Sequence, residues 1–242
     1  MRRQLTASRV EAQQAIDAGR VLVNGAAASK AAHLVAPGDA VVLTGPSARF
    51  VGRGGDKLDA ALDAFAVDVT GRRFVDVGAS TGGFTDCLLA RGAARVLALD
   101  VGHGQLHPRL RNDARVAVVE RTNARDATAA LVEAHLGGLA DGAVVDVSFI
   151  SLTVVIPVLV TLCQPGADMV LLVKPQFEAG RVEVSRGRGV ITDPAVHERV
   201  TGEVAAALGD AGCTVHRWID SPLLGGHGNR ELLVHATTGD GP

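Results

Sequence analysis

The sequence predicts an α/β fold with a mostly parallel central sheet, preceded by a small α+β unit. Three observations carry this expectation. From residue 73 onward, short β-branched runs alternate with longer helical patterns, the signature of strands joined by crossover helices. At the front, a helix-like stretch and an Asn24-Gly25 turn between β-prone runs mark a separate hairpin unit. Between the two, "TGPSARFVGRGGD" at 44–56 concentrates Gly, Pro and Ser, as a boundary does. The expected division is a first domain over 1–46, a linker over 47–55 and a second domain over 56–242.

Taken in order, the first unit comprises a helix over 8–18, the hairpin "RVLVNGAAASK" and a β-prone run "AVVL" at 40–43 after Pro37-Gly38-Asp39. So short a unit owns little core. After the linker, Leu58, Ala61, Leu62 and Phe65 recur at helical spacing, with Asp56 placed to cap the start. Strands follow at "RFVDVGA", "RVLALDV", "VAVVERT", "GAVVDVSF" and "MVLLVKP", separated by helices ending at Arg91-Gly92 and His135 and by a helix over 151–163. A helix over 194–208 and the strands "TVHRWID" and "ELLVHAT" complete the chain. In sheets of this kind, ligands bind at the carboxyl ends of the strands.

Composition sets the outer bounds. The apolar share of 47% and charged share of 21% suit a globular protein, not a disordered one. Cys87, Cys163 and Cys213 are odd in number and far apart, which suggests neither a disulfide framework nor a zinc site. The opening residues lack the apolar core of a secretory signal, and the apolar run over 149–163 falls short of the roughly 20 residues that a membrane span needs. A cytoplasmic protein with no metal and no membrane contact is expected; the oligomeric state is not readable. Residues 1–58 carry eight Lys/Arg against four Asp/Glu, whereas 59–242 carry sixteen against twenty-two. A basic front end with a more acidic body suits a nucleic-acid partner.

"LTASRVEAQQAIDAGRVLVNG" followed by "PGDAVVL" resembles the S4 domain, which binds structured RNA, with the family's extra first helix mostly missing. The resemblance implies phosphate contacts from Arg2, Arg3, Arg9, Arg20 and Lys30.

"FVDVGASTGGFTD" at 74–86 is a strand, a glycine-rich turn and a helix start. A P-loop would need a lysine where Phe84 stands, and the spacing of Gly78, Gly82 and Gly83 does not match a dinucleotide fingerprint. An S-adenosylmethionine site needs close backbone approach without phosphate, plus carboxylates for an amino group and ribose hydroxyls. Asp76 before the loop and Asp100 at the end of "VLALD" meet that need.

The later strand ends read Asp146 in "VVDVSFISL" and Lys174 in "LLVKPQFE", while Lys57 opens the first helix after the linker and Glu231 opens the last strand. A lysine directly after Val170-Leu171-Leu172-Val173 is hard to dismiss as solvated decoration. Desolvation and nearby cations lower an ammonium's pKa, and nearby carboxylates raise it. A Lys-Asp-Lys-Glu set balances these effects and aims an amine at a hydroxyl.

The stretches "GRGGDKL", "DVGASTGGFTD", "LDVGHGQL", "ERTNAR", "DVSFISL", "LVKPQFE" and "GGHGNRE" together resemble the TlyA family of ribosomal RNA 2′-O-methyltransferases, whose catalytic domain resembles FtsJ. The resemblance implies a Rossmann-like methyltransferase using S-adenosylmethionine, with ribosomal RNA or ribosomal subunits as partner. Its reaction is 2′-O-methylation of cytidine ribose, with the large-subunit RNA alone as the expected substrate. Lys57, Asp146, Lys174 and Glu231 match the catalytic tetrad, and Gly78, Ser80, Asp100 and Asn123 match cofactor positions; Asp76 and Gly82 join them from the loop itself. Arg186 and Arg188, in "GRVEVSRGRGVIT", are placed to meet RNA.

Three rivals are set against this reading. A base methyltransferase would need an aromatic clamp beside the fourth strand, and "DVSFIS" offers only Phe149. A haemolysin-like lytic protein would need a plausible span. An RNA-binding protein with a dead methyltransferase domain would not be expected to keep both Asp100 and the tetrad.

Overall fold

The computed structural model describes residues 3, 5–6, 12–13, 15–16, 19–28, 30–45, 49–225 and 228–239, except the side chains of residues 181, 182 and 186. Its contacts divide the chain into two units, Met1–Gly52 and Arg53–Pro242.

In the first unit, strands β1 (Val21–Val23), β2 (Ala26–Ala27) and β3 (Val41–Leu43) form an antiparallel sheet in the order β2-β1-β3. Asn24 and Gly25 both take positive φ, 50° and 84°, which is what a tight hairpin turn requires. The Asn24 side chain then ties this turn to the next one, donating to Asp39 Oδ1 and accepting from the Ala40 amide, each at 2.8 Å. Of the expected helix over 8–18, residues 12, 13, 15 and 16 are described, and they are helical.

The second unit opens with α1 (Gly54–Phe65). The helix therefore begins inside the expected linker, and Asp56 sits in its first turn instead of capping it. The glycines there serve close packing: a Cβ on Gly54 would stand 3.3 Å from the Phe84 ring and 3.6 Å from Asp146 Oδ2.

Seven strands follow: β4 (Arg73–Val77), β5 (Arg95–Leu99), β6 (Val116–Val119), β7 (Ala140–Val145), β8 (Cys163–Val173), β9 (Thr214–Asp220) and β10 (Leu232–Thr237). Their order in the sheet is β6-β5-β4-β7-β8-β10-β9. Strands β4 to β8 run parallel, and β10 is inserted antiparallel between β8 and β9. The chain moves outward from β4 to β6, then crosses to β7 on the other side of β4. That reversal opens a crevice past the ends of β4 and β7.

The helices between strands bury apolar stripes on the sheet. In α2 (Gly83–Ala90) Phe84, Cys87 and Leu88 are buried; α3 (Pro108–Arg111) is a single short turn, and α4 (Ala129–Leu136) buries Val132 and Leu136. In α5 (Leu152–Leu162) Leu152, Ile156, Leu159 and Leu162 pack with Met169 and Leu171 of β8 into one core. Helix α8 (Pro194–Asp210) adds Val200, Val204 and Leu208, its start capped by Asp193 accepting from the Ala195 amide at 2.9 Å. All three cysteines are buried, and none forms a disulfide.

Two expected strands stop early. The run over 116–122 ends at Val119 and Arg121 turns to φ 56°, and the run over 142–149 ends at Val145 with Phe149 at φ 65°. Strand pairing ends at Val119 and at Val145, and the rim begins at Glu120 and Asp146, the polar residues that follow.

The register of the central three strands has a steric test. A Cβ on Gly142 would lie 2.3 Å from Phe74 Cε1 and 2.8 Å from the Asp168 carbonyl oxygen. Gly142→Ala is expected to destabilise the chain by about 1–3 kcal/mol in urea denaturation, and an unchanged midpoint would contradict the packing of β4, β7 and β8.

Candidate active site

Past β4 the chain turns through Gly78 at φ 86°, where a Cβ would stand 2.5 Å from the Asp146 carbonyl oxygen. Both conformation and space demand glycine. The Ser80 amide donates to Asp100 Oδ2 at 2.7 Å, and the Gly102 amide to Asp100 Oδ1 at 2.6 Å. A carboxylate accepts more than two hydrogen bonds, so Asp100 keeps acceptor capacity toward the crevice it lines. Gly78, Ser80, Asp100, Asn123, Asp146 and Phe149 all border this cleft of 650 Å³. Asn123 also uses its side-chain oxygen to accept from the Arg125 amide at 3.0 Å.

Asp76 and Gly82 lie behind this wall. Gly82, at φ 97°, precedes α2 where a Cβ would meet Leu110 at 2.2 Å, so its part is in shaping the loop. Asp76 is fully buried, with Oδ2 accepting from Thr85 Oγ1 at 2.6 Å and no hydrogen-bond partner for Oδ1 among the described residues. Burial pushes its carboxyl up to about 7; the Thr85 hydrogen bond opposes this, and the charges of Asp146 and Asp100 add to it.

The four expected catalytic residues form two ion pairs. Lys57 Nζ, in the first turn of α1, donates to Glu231 Oε2 at 2.5 Å, and both side chains are buried. Lys174, directly after β8, brings Nζ to 2.6 Å from Asp146 Oδ1 as a charge contact and donates to Ser148 Oγ at 2.9 Å. The pairs share one rim because Leu232 is opposite Val173 in the β8–β10 ladder, which sets Glu231 one step further on, across from Lys174.

Two side chains at this rim, Ser148 and Glu178, escaped the sequence reading, and a third, Phe149, was weighed there only as a clamp for a base methyltransferase. Ser148 holds Lys174. Glu178, at the end of α6 (Pro175–Glu178), accepts from the Leu152 amide at 2.9 Å and from Ser151 Oγ, so it stitches the loop after β7 to the loop after β8. Burial raises the Glu178 carboxyl above its ordinary value against those hydrogen bonds. Phe149 is 91% exposed at a positive φ that bulky residues avoid, with its ring 5.0 Å from that of Phe177. "DVSFISL" and "LVKPQFE" signalled these loops, though not these contacts.

The expected RNA contacts divide differently. Arg3 donates to the carbonyls of Ala36 at 2.8 Å, Pro37 at 3.2 Å and Asp39, and Arg20 Nε donates to the Thr44 carbonyl at 3.0 Å. Both therefore brace turns of the first unit while keeping further N–H donors. Lys30 and Arg188 are exposed. Arg2, Arg9 and the Arg186 side chain lie outside the described residues. Among the described residues, no cluster of three metal-binding side chains occurs and no helix is long and apolar enough to cross a membrane.

The cleft fits a cationic cofactor better than a phosphate. Asp76, Asp100 and Asp146 repel one another around the glycine loop, and a sulfonium and an ammonium relieve what a phosphate would worsen. The same repulsion has a stability signature. Between about pH 4 and 7 the folded chain keeps Asp76 protonated while the unfolded chain releases that proton, so stability falls as pH rises through this window. The slope is at most about 1.4 kcal/mol per pH unit. Asp76→Asn is expected to flatten it, read as urea midpoints at pH 4 and pH 7.5; parallel profiles for the two proteins would refute the buried protonated carboxyl.

Comparison with known proteins identifies the family. The FtsJ-like methyltransferase family matches residues 50–238, and the S4 domain matches residues 1–41. The chain is 47% identical over 239 residues to the 16S/23S rRNA (cytidine-2′-O)-methyltransferase TlyA of Mycobacterium tuberculosis, covering 98% of this chain and 87% of the relative. It is 41% identical to hemolysin A of Brachyspira hyodysenteriae, covering 95% and 94%. A solved structure from Streptococcus thermophilus that bears a hemolysin name superposes with a TM-score of 0.81 at 41% identity, covering 98% of this chain and 86% of that one. The chain thus belongs to the FtsJ-like methyltransferase family, with an S4 domain at its front and S-adenosylmethionine as its cofactor.

Proposed function

We propose that the chain transfers a methyl group to the 2′-hydroxyl of a cytidine ribose in ribosomal RNA, acting on ribosomal subunits in the cytoplasm. The observation that carries this reading is the Lys174 amine, held by Asp146 and Ser148 at the edge of the cleft that Gly78 and Asp100 line. S-adenosylmethionine, when bound, supplies an electrophilic methyl on a sulfonium. Asp100 and Asn123 face the cleft where ribose hydroxyls and adenine need acceptors and donors, and Asp76 beneath the loop answers the cofactor's positive charge.

The protein's own part is alignment and proton handling. Lys174 Nζ is placed to take the proton that the 2′-hydroxyl gives up when its oxygen receives the methyl and the sulfur keeps the pair of the broken bond, while Asp146 and Ser148 keep the amine pointed. Lys57 and Glu231 back this pair across the β8–β10 ladder. The Phe149 ring offers a bare apolar face beside the reacting centre, suited to stack on the base of the target nucleotide. Large-subunit RNA is the proposed substrate, since the Mycobacterium tuberculosis relative is named for both 16S and 23S RNA and the large-subunit RNA is common to that name and to the expected substrate.

The deciding measurement is transfer of a labelled methyl to small subunits, large subunits, intact ribosomes and free RNA, followed by mapping of the labelled nucleotide. Lys174→Ala should lose on the order of 10²- to 10⁴-fold in kcat with cofactor affinity retained. Full activity in that variant would remove Lys174 from the mechanism, and no transfer by the folded wild type to any of these RNAs would sink the function. Phe149→Ala should raise KM for RNA by roughly 10-fold, in keeping with about 1–3 kcal/mol per stacked base. An unchanged KM would dismiss the stacking face.

A further inference from the structure

The segment bearing Arg188 and the loop leading to Glu231 are joined by one side chain. Asn229 is 1% exposed. Its Oδ1 accepts from the Ile191 amide at 3.0 Å and its Nδ2 donates to the Gly189 carbonyl at 2.8 Å. Both partners are backbone groups at the end of the stretch that follows helix α7 (Arg181–Arg186), where Arg188 is exposed at φ 51°. The carbonyl of Asn229 accepts in turn from the Gly225 amide at 2.8 Å. Gly225 lies flat on Glu231, since a Cβ there would stand 1.9 Å from Oε1 and 2.4 Å from Cδ. Glu231 then carries the bond to Lys57 at 2.5 Å. Every link in this run is a hydrogen bond or a close packing contact.

We propose that Asn229 is a positioning residue that couples the arginine-bearing segment 186–191 to Glu231, so that seating this segment on RNA sets the Glu231–Lys57 pair. The proposal rests on the reading of the site as an RNA methyltransferase centre. The choice of asparagine supports it. A residue present only to fill the core would need no amide, whereas this position uses an acceptor and a donor at once on two backbone groups of one segment. Aspartate would keep the bond from Ile191 and turn an acceptor on the Gly189 carbonyl; alanine would lose both.

The test uses full-length protein in two arms. In the first, backbone amide exchange is followed by mass spectrometry with and without large ribosomal subunits. Wild type should gain protection over 186–192 and 222–231 together, and Asn229→Ala over 186–192 alone. In the second, Asn229→Ala should lower kcat on the order of 10²-fold, the loss expected for a misplaced group, with cofactor Kd within about twofold, and Asn229→Ala/Glu231→Gln should be no slower than Glu231→Gln alone. Asn229→Ser, which can keep one of the two backbone bonds without burying a charge, should fall between wild type and the alanine variant, and it replaces that variant in both arms if alanine does not fold. Multiplying losses in the double variant, RNA protection of 222–231 that survives the substitution, or no RNA protection of 186–192 in wild type would each overturn the coupling. A wild type that binds subunits yet transfers no methyl would defeat the proposed function, and the exchange arm would still decide the role of Asn229.

Discussion

The site depends on one close approach, the backbone of Gly78 against the carbonyl of Asp146. Strands β4 and β7 are neighbours in the sheet, yet the chain leaves them toward opposite sides, so their ends must pass with no side chain between them. A Cβ on Gly78 would come within 2.5 Å of the Asp146 oxygen and 3.2 Å of the Val147 Cα. With glycine there, the loop after β4 opens the cofactor cleft on one side. The loop after β7 carries Asp146, Ser148 and Phe149 along its edge. Gly54 repeats the device from below, its bare Cα letting the start of α1 reach the Asp146 carboxylate and place Lys57 in the same region.

Charge follows from that geometry. Three carboxylates converge near the strand ends because parallel strands point the same way: Asp76 sits within β4, and Asp100 and Asp146 directly follow β5 and β7. Burial chiefly raises the Asp76 carboxyl, and the charges of Asp146 and Asp100 add to it. Such a cluster repels phosphate and attracts a cation. The same electrostatics therefore exclude the nucleotide-phosphate readings and favour a sulfonium cofactor, a conclusion the missing P-loop lysine reached by a different route.

The parts of the fold legible in the sequence were those governed by local rules. β-branched runs gave the strands, and the first polar residue after each run marked the rim, as with Asp100, Asp146 and Lys174. Asn24-Gly25 announced its hairpin because only residues tolerant of positive φ fit there. What stayed hidden depended on partners distant in the chain. Gly54 read as linker, since the Phe84 ring it packs closely against lies thirty residues on. Arg3 and Arg20 read as phosphate contacts, because nothing local shows that the carbonyls of 36–39 and 44 take their N–H groups. Glu178 and Asn229 were missed for the same reason: both bond main-chain amides from remote loops, and a backbone amide leaves no mark in a sequence.

The two ion pairs differ in a way that assigns their tasks. Lys57 and Glu231 have side chains 10% and 2% exposed, so separating them would strand a charge in a dry setting, and the two stay paired. Lys174 and Asp146 are 11% and 25% exposed, and their contact is a close charge pair without an aligned hydrogen bond. The looser pair can exchange partners when a hydroxyl arrives, because water reaches Asp146 and Ser148 already shares the amine. On the proposed reading, proton transfer belongs at the open pair, and the buried pair, once set, supplies the wall against which that movement is aimed.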